Sequence, residues 1–127
     1  MNILTLVHGM VVEFLNTRNN MPSTLTKRSL NSWRKGGYLC QVVETYNSHA
    51  RVKNDLYGFL DVLCVREKEI VGIQVTSQSN MSARVDKILK HKNYIPIKKS
   101  GIKILVEGWQ KKKEGRRLLW ESNIVEL

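Results

Sequence analysis

Residues 54–77 read NDLYGFLDVLCVREKEIVGIQVTS, two apolar runs joined by the charged segment 66–69, REKE. β-forming residues on both sides of a four-residue polar break predict a β-hairpin. The first run holds an acid, Asp61, among Phe59, Leu60, Val62 and Leu63; the second holds an amide, Gln74, between Ile73 and Val75. Burying a carboxylate is costly unless it is paired or binds a cation. In a hairpin, Asp61 and Gln74 reach neighbouring positions on paired strands, with Thr76 two residues further on.

Moving outward, YLCQVVETY (38–46) precedes the hairpin and predicts another strand, containing Glu44. A polar connection with His49, Arg51, Lys53 and Asp55 follows. Before it, residues 23–35 predict a helix capped by Ser23 or Thr24 and closed by Gly36-Gly37. After the hairpin, Ser79 or Asn80 caps a helix reaching about Lys90, with Met81, Val85, Ile88 and Leu89 as its apolar stripe. Asn80, Arg84, Lys87 and His91 form a polar stripe beside it. Residues 94–97 read as short and extended, with Pro96 arguing against a central strand. IKILVEG (102–108) predicts a buried strand, 111–117 a basic turn, and 118–127 one or two final strands. Residues 1–16 carry apolar residues at helical spacing, although Gly9 and Val11-Val12 weaken the pattern. The expected fold is therefore α/β (α+β), in the order α-α-β-β-β-α-β-β, with a central mixed sheet of four to five strands flanked by helices. Residues 1–20 are expected to be an N-terminal helical extension or dimer arm, and 21–127 a single domain.

The chain of 127 residues carries 21 Lys and Arg against 11 Asp and Glu, a net charge of +10. This excess favours a polyanionic partner, nucleic acid ahead of an acidic membrane. No run approaches the apolar length of a membrane span. The first residues lack the pattern of a signal peptide, so the cytoplasm is the expected compartment. Cys40 and Cys64 read as buried thiols. No Cys/His spacing suggests zinc, and no Gly-rich loop suggests a nucleotide cradle.

Asp61 with the Gln74 amide oxygen, and a further oxygen from Glu44 or Asp55, would suit a hard cation such as Mg²⁺, with Mn²⁺ as an alternative. Such an ion polarises a phosphate and activates water. On the other reading, Asp61 accepts backbone hydrogen bonds at a strand end and Gln74 is a satisfied buried amide. His49 is a candidate acid or base. Candidate phosphate contacts are Arg28, Lys35, Arg51, Lys53, Asn80, Arg84, Lys87 and the 111–117 run. Trp109 could stack on an unpaired base.

The runs NDLYGFLDVL, EIVGIQVTS and SNMSARVDKIL together resemble the core of the PD-(D/E)XK nuclease superfamily, and within it small phage-type and Holliday-junction-resolvase-like endonucleases. The resemblance covers residues 23–108 and implies a restriction-endonuclease-like core, Mg²⁺-dependent hydrolysis of DNA and, for cuts in two strands, a homodimer. The family's motif acid falls on Asp61, its second acid on Gln74 and its lysine on Thr76. Gln keeps an oxygen but removes a charge, and Thr removes the cation. The missing lysine is then supplied by Lys87 or Arg84, or by Lys53. The resemblance leaves two functions open. One is a DNA endonuclease, with structured DNA such as junctions among its substrates. The other is a catalytically inactive DNA-binding protein that retains the nuclease fold. A protein-interaction module is a third, weaker reading.

Overall fold

The computed structural model describes residues 4–7 and 10–13 by their backbone and residues 24–127 in full. Strands β1 (Leu4–Val7) and β2 (Met10–Glu13) pair antiparallel. Where the helix expected over 1–16 falls on described residues, at 4–7 and 10–13, the chain is strand instead, as the β-branched pair Val11-Val12 favours. The remainder of the 1–20 segment, and its part in any dimer, lie outside the described residues.

Helix α1 (Thr24–Lys35) has the expected span, and Arg34 and Lys35 complement the negative end of its dipole. Strand β3 (Leu39–Val42) follows, then a small hairpin of β4 (Thr45–Asn47) and β5 (Val52–Asn54), with every residue exposed. The connection expected over 47–54 thus contains strand. Its turn uses Arg51 at φ 54° and the Asn47 Oδ1, which accepts the backbone N–H groups of His49 and Ala50.

Strands β6 (Val62–Arg66) and β7 (Glu69–Ser77) form the predicted hairpin, with Arg66 opposite Glu69. A 3₁₀ turn (Gln78–Asn80) leads to α2 (Met81–Leu89), and α3 (Tyr94–Lys99) follows. Asn80 occupies the N-cap position without a side-chain capping bond. The extended stretch expected at 94–97 is helical instead. Pro96 is the third residue of α3, inside the first turn, where a backbone N–H has no helical partner to lose. Strands β8 (Lys103–Glu114) and β9 (Arg117–Glu126) make a long antiparallel pair, and the basic segment 111–117 forms its far end.

The main sheet is mixed and five-stranded, ordered β3-β6-β7-β8-β9, with β7 and β8 parallel and the other neighbours antiparallel. The molecule is thus α+β. Central β7 is buried on both faces from Val71 to Thr76, which explains its unbroken apolar reading. One face packs Val62, Cys64, Ile73, Val75 and Leu105 under Leu30 of α1. The other packs Leu60, Ile104 and Val106 under Met81, Ile88 and Ile97 of α2 and α3. Gly108 is what lets α2 approach: a Cβ there would lie 2.3 Å from the Met81 side chain. Among the described residues, no helix is long and apolar enough to cross a membrane.

Candidate metal centre

Asp61 sits just before β6, level with Gln74. Its backbone N–H donates to the Ile73 carbonyl and its own carbonyl accepts the Val43 N–H, both at 2.8 Å. The residue is therefore fixed between β7 and the segment that follows β3, and it is completely buried. Its two carboxylate oxygens have different surroundings. Oδ2 accepts the Val75 backbone N–H and the Gln74 Nε2–H, each at 2.8 Å. Oδ1 accepts no hydrogen bond.

Two further carboxylates converge on Asp61. Glu44 arrives from the bend after β3, and Asp55 from the end of β5. One ligand oxygen from each of Glu44, Asp55 and Asp61 lies within 4.8 Å of the others. Asp55 opens a tight turn (55–60) in which Tyr57 and Gly58 have φ of 56° and 95°, closed by a bridge between Leu56 and Leu60. A Cβ on Gly58 would lie 2.5 Å from His91 Nε2, so glycine fits both the conformation and the space.

The cation of the cluster is Lys53, borne on the exposed β5. Its Nζ lies 2.6 Å from Glu44 Oε2, 3.5 Å from Asp61 Oδ1 and 3.8 Å from Asp55 Oδ1. The first distance makes Lys53 and Glu44 a close ion pair, and the other two contacts are looser. Lys53 remains half-exposed, so the cluster meets solvent on its side.

Three carboxylates and one ammonium leave a net charge of −2, which one divalent cation would cancel. Without that charge, burial first and the neighbouring Asp55 second push the Asp61 pKa up to about 6. Burial likewise raises Glu44, against the pull of Lys53. Burial alone would lower Lys53, but Glu44, Asp61 and Asp55 outweigh it and hold the ammonium above its usual value. Three converging oxygens, one each from Glu44, Asp55 and Asp61 with the Lys53 ammonium beside them, fit a hard cation such as Mg²⁺ or Mn²⁺, and an all-oxygen donor set does not select a soft metal.

The structure thus brings together Glu44, Asp55, Asp61 and Lys53. Gln74 joins them differently from expectation. It presents its amide N–H to Asp61, because a carboxylate oxygen facing a carbonyl oxygen would pair two acceptors. Gln74 holds Asp61 in place, and the oxygens that could ligate an ion are those of the three acids. The expected backbone hydrogen bond to Asp61 is present at Oδ2, and the three acids form a group that could hold a metal ion. Thr76 is buried on the same face, level with Gly108. Lys87 is exposed on α2 and Arg84 half-buried, and neither makes an ion pair with the cluster among the described residues.

Trp109 is not available for stacking on a base: it is buried and its indole N–H donates to Ser29 Oγ at 2.8 Å. Arg28 packs over the Trp120 ring at 4.1 Å, and Arg51, His49, Lys35 and Asn80 are exposed. A second buried acid, Glu107, has no signal in the sequence beyond its place in an apolar run. It faces α1 and accepts from Ser29 Oγ (2.6 Å), Trp33 Nε1 (3.1 Å) and Ser122 Oγ (2.8 Å). Every oxygen of Glu107 has a donor, whereas Asp61 keeps one without. No protein-family model, curated protein or solved structure matches this chain.

Proposed function

We propose that this protein is a divalent-metal-dependent endonuclease that hydrolyses DNA phosphodiester bonds, with structured DNA of the junction type as its substrate class. The observation that carries the reading is the convergence of Glu44 and Asp55 on the fully buried Asp61, whose Oδ1 accepts no hydrogen bond. The succession α1, β3, β6, β7, α2, β8 supports reading the domain as a restriction-endonuclease-like core of the PD-(D/E)XK kind. The net charge of +10 supports a polyanionic substrate.

In this reading Glu44, Asp55 and Asp61 hold Mg²⁺ or Mn²⁺. When bound, the ion supplies positive charge to a phosphate oxygen and makes water more acidic. Gln74 and the Val75 N–H hold Asp61 Oδ2, so that Oδ1 keeps its direction. Lys53 takes the part of the lysine that Thr76 lacks. Its ammonium, on a flexible stem at the solvent side of the acids, donates to a non-bridging phosphate oxygen and stabilises charge developing there.

Cleavage of a branched or duplex oligonucleotide with Mg²⁺ or Mn²⁺ tests the assignment. Asp61→Ala is expected to abolish cleavage; cleavage that survives the substitution overturns the site. A second reading, a DNA-binding protein without hydrolytic activity, is favoured by one observation. Lys53 already neutralises part of the acid cluster, as a structural ion pair would. Duplex binding with no metal-dependent cleavage would select it.

A further inference from the structure

The β8–β9 pair continues well beyond the core. From Gln110 to Glu121 it is a two-stranded arm with five cations (Lys111, Lys112, Lys113, Arg116, Arg117) and two acids. The register sorts these charges. Gln110 opposes Glu121, Lys112 opposes Leu119 and Glu114 opposes Arg117, so both acids lie on the α2 side of the arm. There Glu121 accepts from Gln110 and pairs with Lys112. Lys111 opposes Trp120 and Lys113 opposes Leu118, so the α1 side carries cations and apolar groups only.

The base of that cationic side is fixed. Trp120 lies under the Arg28 guanidinium at 4.1 Å and near Lys111 Nζ at 5.3 Å, which ties the arm to α1. The arm also leaves the sheet at the end where the acids sit. Gln74, beside Asp61, pairs with Val106, and Lys111 is five residues further along β8. At roughly 3.3 Å per residue Lys111 lies about 16 Å past the level of Asp61. Leu118, exposed by 65%, stands beside Lys113 with nothing folded over it among the described residues.

We infer that this arm is a duplex-DNA anchor, separate from the acid cluster, which engages the major groove and its flanking phosphates through Lys111, Lys113 and Arg116. The inference rests on the DNA reading above for its partner. A major groove about 12 Å wide admits a two-stranded ribbon, whereas the deep, narrow groove of an RNA duplex does not. Because the cationic side faces away from the acids, the arm holds DNA at one end of the sheet instead of laying it across the cluster.

The test is duplex binding by fluorescence anisotropy, on the full chain, in EDTA across a salt series. Lys111→Ala/Lys113→Ala/Arg116→Ala is expected to weaken binding about tenfold or more. Its log–log salt slope should be shallower by roughly 2 to 3, one for each phosphate that is no longer neutralised. The control Lys68→Ala/Lys92→Ala/Lys99→Ala removes the same charge from other exposed sites and should keep the wild-type slope. The milder Lys113→Gln/Arg116→Gln at the tip serves if the triple variant melts early; it should shift the slope by roughly 1 to 2. Arm variants that bind like the control overturn the anchor, as does a wild-type chain that binds anionic lipid vesicles but no duplex. The endonuclease reading is separable, since no divalent ion is present: a chain that binds through the arm and never cleaves keeps the anchor and loses the nuclease.

Discussion

At the scale of the residue, Asp61 carries opposite demands: a pKa pushed up to about 6 by burial and by Asp55, and a proposed role as a metal ligand that needs its charged form. The sign follows from linkage. A carboxyl whose folded pKa exceeds its unfolded value favours folding most below pH ~4, and that contribution is lost as pH rises from ~4 to ~6. Asp61→Asn is therefore expected to stabilise the metal-free protein by about 1 to 3 kcal/mol at pH 8 and by almost nothing at pH 4, while removing cleavage. Chemical denaturation at the two pH values checks this, and equal effects at both would contradict a charged, strained Asp61. Lys53→Met makes a second test. Losing the internal ammonium leaves the acids to repel one another, so the variant should melt earlier without metal and bind Mn²⁺ more tightly, yet cleave DNA more slowly. Melting curves with and without Mn²⁺, alongside a cleavage assay, read all three. The cost of burying Asp61 could be read from its neighbours in the chain. The direction of the Gln74 amide could not, because it depends on the Gln74 side chain lying against the Asp61 carboxylate, which only the paired strands bring about.

At the scale of the element, the 55–60 turn sets the position of Asp55. Gly58→Ala would force a φ of 95° on a side-chain-bearing residue and press on His91. A destabilisation of about 1 to 2 kcal/mol is expected, together with weaker divalent binding because Asp55 shifts. Calorimetric melting and a Mn²⁺ titration on the same variant check it; unchanged Mn²⁺ affinity would remove Asp55 from the centre. The β6–β7 hairpin was legible because strand periodicity, apolar runs and a charged turn all agree there. Helix α3 was not, because Pro96 reads as a breaker until its place in the first turn is known. The β4–β5 hairpin was hidden by its polarity: none of its residues is buried, so no alternation marks it. Without that hairpin, Lys53 looks like one loop cation among many.

At the scale of the whole molecule, charge is distributed by position, not by number alone. The acids gather at Asp61 on one face of the sheet, and the largest basic run lies on the arm. If four to six phosphates are neutralised, duplex affinity should fall with salt at a log–log slope of roughly −4 to −5. A flat salt dependence would exclude DNA as partner. The net charge could be counted from the chain, but the sorting of the arm's charges onto two sides needed the β8–β9 register. Calorimetric titration with Mn²⁺, in two buffers of different ionisation heat at pH 6, tests whether the acid cluster is a divalent-ion site. One ion should bind per chain and release a fraction of a proton from Asp61, and Asp61→Asn should lose most of the affinity. Absence of saturable binding, or equal affinity in Asp61→Asn, would contradict it.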